Sequence, residues 1–185
     1  MEISQLHTTK IYISVLLSTF ALSGCAKSFS QSVLNESPLT SQEWQVVRVS
    51  DGDTITVRQG QREMKIRFCG IDAPEKAQPL GKESKANLQR LVNEVGGKVS
   101  VVSVESDRYG RTVAEVFSSK NGIEKNFNEE QLSSGNAYMY RQYAGKCPNK
   151  LAFEKAEAIA QSTKLGVWGG NYQKPWDYRR QQRSR

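Results

Sequence analysis

Between Trp44 and Ile71 the sequence sets three short β-type runs between two glycine turns, and that punctuation confines this part of the chain to a strand meander. Trp44 to Val49 is apolar and β-branched, and Asp51-Gly52 marks a tight turn. Thr54 to Arg58 alternates, with Ile55 and Val57 on one face, before Gln59-Gly60-Gln61 turns the chain again. Met64 to Ile71 alternates in its turn: Met64, Ile66 and Phe68 point one way, Lys65, Arg67 and Cys69 the other.

The pattern then changes period. Ala86, Leu88, Leu91, Val92 and Val95 fall at helical spacing, which predicts a helix over Lys82 to Val95, stopped by Gly96-Gly97. Lys98 to Val104 and Thr112 to Phe117 read as strands, and Asn121-Gly122 as a hairpin turn. Asn126 to Ser134 is expected to be a short helix closed by Gly135, and the Ala- and Glu-rich Lys150 to Lys164 a longer one stopped by Gly166. Five strands and three helices, with one helix inserted after the third strand, suit an α+β chain built on a five-stranded Greek-key barrel of the OB type. Other α+β arrangements share that element order.

Residues 1–24 read as an export signal. The apolar run Ile11 to Leu22 is too short to span a bilayer comfortably. Leu22-Ser23-Gly24-Cys25 resembles a bacterial lipobox, in which Cys25 is acylated and becomes the mature N-terminus; a plain cleaved signal or an uncleaved anchor are the rival readings. Residues 25–43, rich in Ser, Gln, Asn and Thr, are expected to be a flexible tether, 44–170 the folded domain and 171–185 a mobile basic tail. The expected location is therefore outside the cytoplasm, either anchored in a bacterial membrane through lipid or secreted. With Cys25 acylated, Cys69 and Cys147 remain, as a disulfide in an oxidising compartment or as two buried thiols.

The only histidine, His7, lies in the export segment, so no histidine base, nucleophile or metal ligand serves the mature domain. The formal net charge is +7, and residues 171–185 carry five basic side chains against one acid, Asp177. A basic balance suits a polyanion or an anionic membrane.

Three segments concentrate the remaining chemistry: Asp51-Gly52-Asp53-Thr54, then Arg67 through Asp72-Ala73-Pro74-Glu75, then Asp107-Arg108-Tyr109-Gly110-Arg111. Each alone reads as an ordinary turn. Together they offer three carboxylates (Asp53, Asp72, Glu75) in loops at strand ends, a set of oxygen ligands that selects a hard cation. Arg67 and Arg111 add planar forks matched to phosphate. Phosphodiester cleavage needs negative charge neutralised at phosphorus and a water deprotonated beside it, which these groups supply.

The three segments, in this order and spacing, resemble the staphylococcal nuclease (thermonuclease) family, over roughly residues 44–168 including Leu165-Gly166-Val167-Trp168. The resemblance implies an OB-type barrel with helices and a nuclease that uses one Ca²⁺, cuts DNA and RNA and leaves 3′-phosphates. It implies that Asp53 and Asp72 ligate calcium with the Ala73 carbonyl beside them, and that Glu75 orders or deprotonates the attacking water. It also implies that Arg67 and Arg111 clamp the phosphate, that Arg108 and Tyr109 flank it, and that Asp51 supports the ligands from behind. A nucleotide-contacting tyrosine is expected among Tyr138, Tyr140 and Tyr143. The chain departs from the family's type member in having Ala73 where that protein has Thr, Arg108 where it has Lys, and a short Lys76 to Gly81 loop. The expected state is a monomer with no protein partner. The alternative function is a non-catalytic OB-type lipoprotein that binds nucleic acid.

Overall fold

The structure is a computed structural model and describes residues 43–184. The expected leader, Cys25 and the tether up to residue 42 lie outside the described residues.

The meander forms as β1 (Glu43–Val49), β2 (Thr54–Gln59) and β3 (Arg62–Phe68), followed by a two-residue strand, β4 (Ile71–Asp72). Helix α1 (Gly81–Glu94) comes next, then β5 (Lys98–Ser106), β6 (Thr112–Lys120), β7 (Ile123–Asn126) and α2 (Phe127–Ser133). The chain closes with β8 (Tyr138–Met139), α3 (Lys150–Ser162) and α4 (Pro175–Arg183). The sheet order is β3-β2-β1-β5-β6-β7, and a parallel pairing of β3 with β6 closes β1, β2, β3, β5 and β6 into a five-stranded barrel with β7 outside it, the expected OB-type α+β architecture. Irregular registers at Val46/Arg48 of β1 and Ser103/Glu105 of β5 give these strands the bends that closure needs.

Ile55, Val57, Ile66, Phe68, Val99, Ala114 and Val116 fill the barrel. Leu88, Leu91 and Val92, three or four residues apart on α1, cover one end, and Phe127, Leu132 and Phe153 pack from α2 and α3. Gly96 and Gly97 end α1 at φ 62° and 78°, a backbone that costs glycine little.

Four elements escape the sequence reading: β4, β7, β8 and α4. β4 and β8 pair with each other (Ile71 with Met139, Asp72 with Tyr138) but are two residues each, too short to show a period. β7 follows the Asn121-Gly122 turn and extends β6. Residues 171–185 differ most from expectation: instead of a wholly mobile tail, Pro175–Arg183 is a helix, begun by proline in its first turn and carrying Asp177 there and Arg180 and Arg183 in its last.

Candidate active site

The site is built where the β1–β2 turn, the end of β3 and the loop after β4 meet. The turn is held from inside: Asp53 N–H donates to Asp51 Oδ1 at 3.1 Å, and Gln131 of α2 reaches across to donate to the Gly52 carbonyl at 2.6 Å. A Cβ on Gly52 would stand 1.8 Å from Ser84 Oγ, so this position tolerates only glycine. Gln131 is fully buried and gives no sequence signal beyond being polar on a helix that buries apolar neighbours.

Asp53 is thereby pointed inward, 5% exposed. Its Oδ2 accepts from the Ala73 amide at 2.6 Å and pairs with Arg67 at 2.9 Å; its Oδ1 accepts from Thr54 Oγ1 at 3.1 Å. Arg67 leaves β3 on the face opposite Ile66 and Phe68, as the alternation predicts, and its other terminal nitrogen donates to Asp72 Oδ1 at 2.7 Å. One guanidinium thus joins two buried carboxylates. Asp72 is 0% exposed and is fixed by the β4–β8 pairing. Glu75, more exposed, is set by its own loop: its amide donates to Gln78 Oε1 at 2.9 Å and its carbonyl accepts from the Gln78 amide at 2.8 Å.

Burial pushes the Asp53 carboxyl up to about 8, with Asp51 and Asp72 adding to the rise and Arg67 opposing it. Burial sets this rise, and the Arg67 guanidinium at 2.9 Å offsets it only in part. Among the described residues no three Asp, Glu, His or Cys side chains are grouped as a ready cage for a metal ion. The acids here are interleaved with arginines instead.

One of those arginines is Arg179 of α4, which the sequence reading placed in a mobile tail. Its Nη1 donates to Asp72 Oδ1 at 3.0 Å and Glu75 Oε1 at 2.8 Å, and its Nη2 to Asp72 Oδ2 at 2.7 Å. Burial would lower its pKa, but the bonds to Asp72 and Glu75 raise it above the ordinary arginine range.

The third segment forms the β5–β6 turn. Asp107 Oδ1 accepts from the amides of Tyr109 (2.9 Å) and Arg111 (3.0 Å), and its Oδ2 from Arg111 Nε at 2.7 Å. These bonds, after the cost of partial burial, hold the Asp107 carboxyl below the usual range. The Tyr109 ring is 69% exposed, with the guanidinium carbons of Arg108 and Arg111 at 5.3 and 5.6 Å from its centre. The β3–β6 register sets Arg67 beside Val113 and Ile66 beside Thr112, which brings the Arg111 turn to the strand end that carries Arg67. Arg111 pairs with Asp107, not with the Asp53–Asp72–Glu75 group.

The three candidate tyrosines separate clearly. Tyr138 is buried, donates to the Val167 carbonyl at 3.1 Å and is pushed up to about 12 by burial. Tyr140 stacks on Trp176 of α4, with ring centres 5.1 Å apart and planes 12° from parallel, and burial and the nearby Asp72 raise its pKa. Tyr143 is exposed and meets Tyr140 edge-on. Cys69 and Cys147 are bonded, with sulfurs 1.98 Å apart.

A family model described as staphylococcal nuclease homologue matches residues 65–170, a span that takes in Arg67, Asp72, Glu75 and Arg111. An uncharacterized endonuclease of Haemophilus influenzae is 36% identical over 140 residues, covering 75% of this chain and 73% of that protein. A micrococcal nuclease of Shigella flexneri is 36% identical over 142 residues, 74% of this chain and 79% of that one. A probable staphylococcal-like nuclease of Oryza sativa subsp. japonica is 34% identical over 150 residues, which is 80% of this chain and 36% of the longer plant protein.

Proposed function

The chain belongs to the family of staphylococcal nuclease homologues, and from that premise we propose that it is a calcium-dependent nuclease that hydrolyses DNA and RNA and leaves 3′-phosphates. The observation that carries this reading is the single guanidinium of Arg67 gathering Asp53 and Asp72 beside Glu75.

The donor set fits a hard cation. Asp53 and Asp72 are buried carboxylates joined through the one Arg67 guanidinium, and Ala73, whose carbonyl is the third oxygen, follows Asp72 directly in the chain and bonds Asp53 through its amide. With so few protein oxygens, most of the ion's shell would be water. Calcium, when bound, supplies positive charge against a phosphate oxygen and holds a water near phosphorus. Everything else falls to this chain. Arg111 binds the phosphate oxygens through its planar fork, and Arg67, bonded to Asp53 and Asp72, adds its positive charge beside the phosphate. Asp107 holds Arg111 through Nε and so fixes the side chain at the turn. Glu75 accepts the water's proton as the new P–O bond forms and the bond to the 5′-oxygen breaks, which leaves the phosphate on the 3′ side. Arg108 and Tyr109 flank the bound nucleotide, and Asp51 keeps the Asp53 turn closed.

Incubation with plasmid, single-stranded DNA and RNA tests the reading. Calcium is expected to support digestion, chelation to abolish it, and the fragments to require phosphatase before their 3′ ends can be extended. Digestion that continues unchanged in chelator would remove calcium from the account.

The reading extends to location. The chain is exported and held at a membrane by acylation of Cys25, and it works as a monomer. The Cys69–Cys147 bridge supports export, because such bonds persist outside the reducing cytoplasm. Mass spectrometry of the mature N-terminus is expected to show a lipidated Cys25; an unmodified N-terminus elsewhere would overturn the anchor.

A further inference from the structure

α4 lies across Asp72 and Glu75, assigned above to the cation and the attacking water, and against Tyr138 and Tyr140, two of the three tyrosines expected at the nucleotide. Arg179 takes both oxygens of Asp72 in a two-pronged pair and one oxygen of Glu75. Arg67 holds Asp72 Oδ1 as well, so three N–H groups share one carboxylate. Trp176 covers the face of Tyr140 and meets Tyr138 edge-on at 5.9 Å. Lys174 Nζ sits over the rings of Tyr138 and Trp168 at 3.6 and 4.0 Å, and the Gln173 carbonyl accepts from Gln78 Nε2 at 2.9 Å.

We propose that α4 is a displaceable plug: Arg179 competes with the divalent cation for Asp72 and engages Glu75, Trp176 covers the Tyr140 ring, and cation binding and α4 release are coupled. The proposal rests on the calcium reading of the site. An ion ligated by Asp72 would share that carboxylate with the Arg179 fork, and like charges within a few ångströms in a buried pocket repel strongly. Two arginines already share Asp72, and of these Arg179 is the one placed to give way: Arg67 is fixed in β3 and also holds Asp53, whereas the helix that carries Arg179 is only shallowly held. Pro175 is the one buried residue of α4, and the helix hangs from the Gly169-Gly170 end of the domain. Nine residues are too few to persist as a helix in water once the docking contacts are lost. Arg179 places a second positive charge, after Arg67, among Asp53, Asp72 and Glu75.

Titration calorimetry of Ca²⁺ into the purified protein, Arg179→Gln and Trp176→Ala tests this, with hydrogen exchange of residues 174–183 read in parallel. Both variants are expected to bind Ca²⁺ about tenfold more tightly, because a competing closed state no longer withholds the ligands. In the parent, saturating Ca²⁺ is expected to strip exchange protection from α4. Equal calcium affinity in all three proteins, weaker affinity in Arg179→Gln, or an α4 that stays protected at saturation would each overturn the plug while leaving the calcium reading intact. No calcium binding by any of them would overturn both.

Discussion

Glu75→Gln is expected to lower kcat by about 10²- to 10⁴-fold, the usual contribution of a positioned proton acceptor, with little change in stability. The side chain of Glu75 is 37% exposed and its loop is fixed through contacts with Gln78, so the amide keeps the shape of the loop while removing the proton acceptor and the charge that pairs with Arg179. Single-turnover hydrolysis of a labelled oligonucleotide at saturating Ca²⁺ reads the chemical step directly, and a variant that cuts at the parent rate would remove Glu75 from the reaction. Arg67→Ala would be a poorer probe of catalysis. Its guanidinium is the shared partner of Asp53 and Asp72, both buried, and breaking such a pair costs about 3–5 kcal/mol. A fall in activity there would mix lost phosphate binding with a damaged fold.

The barrel and the core of the site were legible because both depend on local chemistry. Glycine turns at Gly52 and Gly60, alternation through Ile66 and Phe68, and the period of Leu88, Leu91 and Val92 each leave a mark within a few residues. Arg67 on the face opposite Phe68 follows from strand geometry alone. What stayed hidden depends on partners far along the chain. Arg179 meets Asp72 and Glu75 across 107 and 104 residues, and a basic run with one acid reads as a solvated end unless its docking surface is known. The Pro at the start of a short helical run and the Trp176 beside it were the available hints. Gln131 is similar: its bond to the Gly52 carbonyl spans 79 residues, and no spacing rule marks a buried glutamine as the brace of an acidic turn. Thr54 and Thr56 are buried as well as Ile55 and Val57, so β2 is covered on both faces, which alternation cannot express. The choice among Tyr138, Tyr140 and Tyr143 likewise waited on packing, since all three lie within six residues and only their surroundings differ.

Removing the disulfide, by reduction or as the pair Cys69→Ala and Cys147→Ala, is expected to cost about 4 kcal/mol of unfolding free energy. The bridge closes a loop spanning 78 residues, and the chain entropy that the unfolded state regains when a loop of that size is opened is of this order. For a domain whose whole stability is about 5–15 kcal/mol this is a large share. The native geometry argues that the bond is accommodated without distortion of its surroundings: Gly70, at φ 69°, gives up a side chain whose Cβ would lie 2.9 Å from Cys147 Sγ. The Cys69 amide and carbonyl are separately satisfied by the Ala114 carbonyl at 2.8 Å and Asn128 Nδ2 at 2.9 Å. Those two bonds hold the end of β3 in place whether or not the sulfurs are joined, so the reduced protein is expected to keep its calcium affinity and its cutting rate at low temperature. The loss should appear as a lower urea midpoint with an activity that collapses earlier on heating. Coincident urea curves with and without reductant would show that the barrel closure of β3 on β6, and not the covalent link, already restricts this part of the chain.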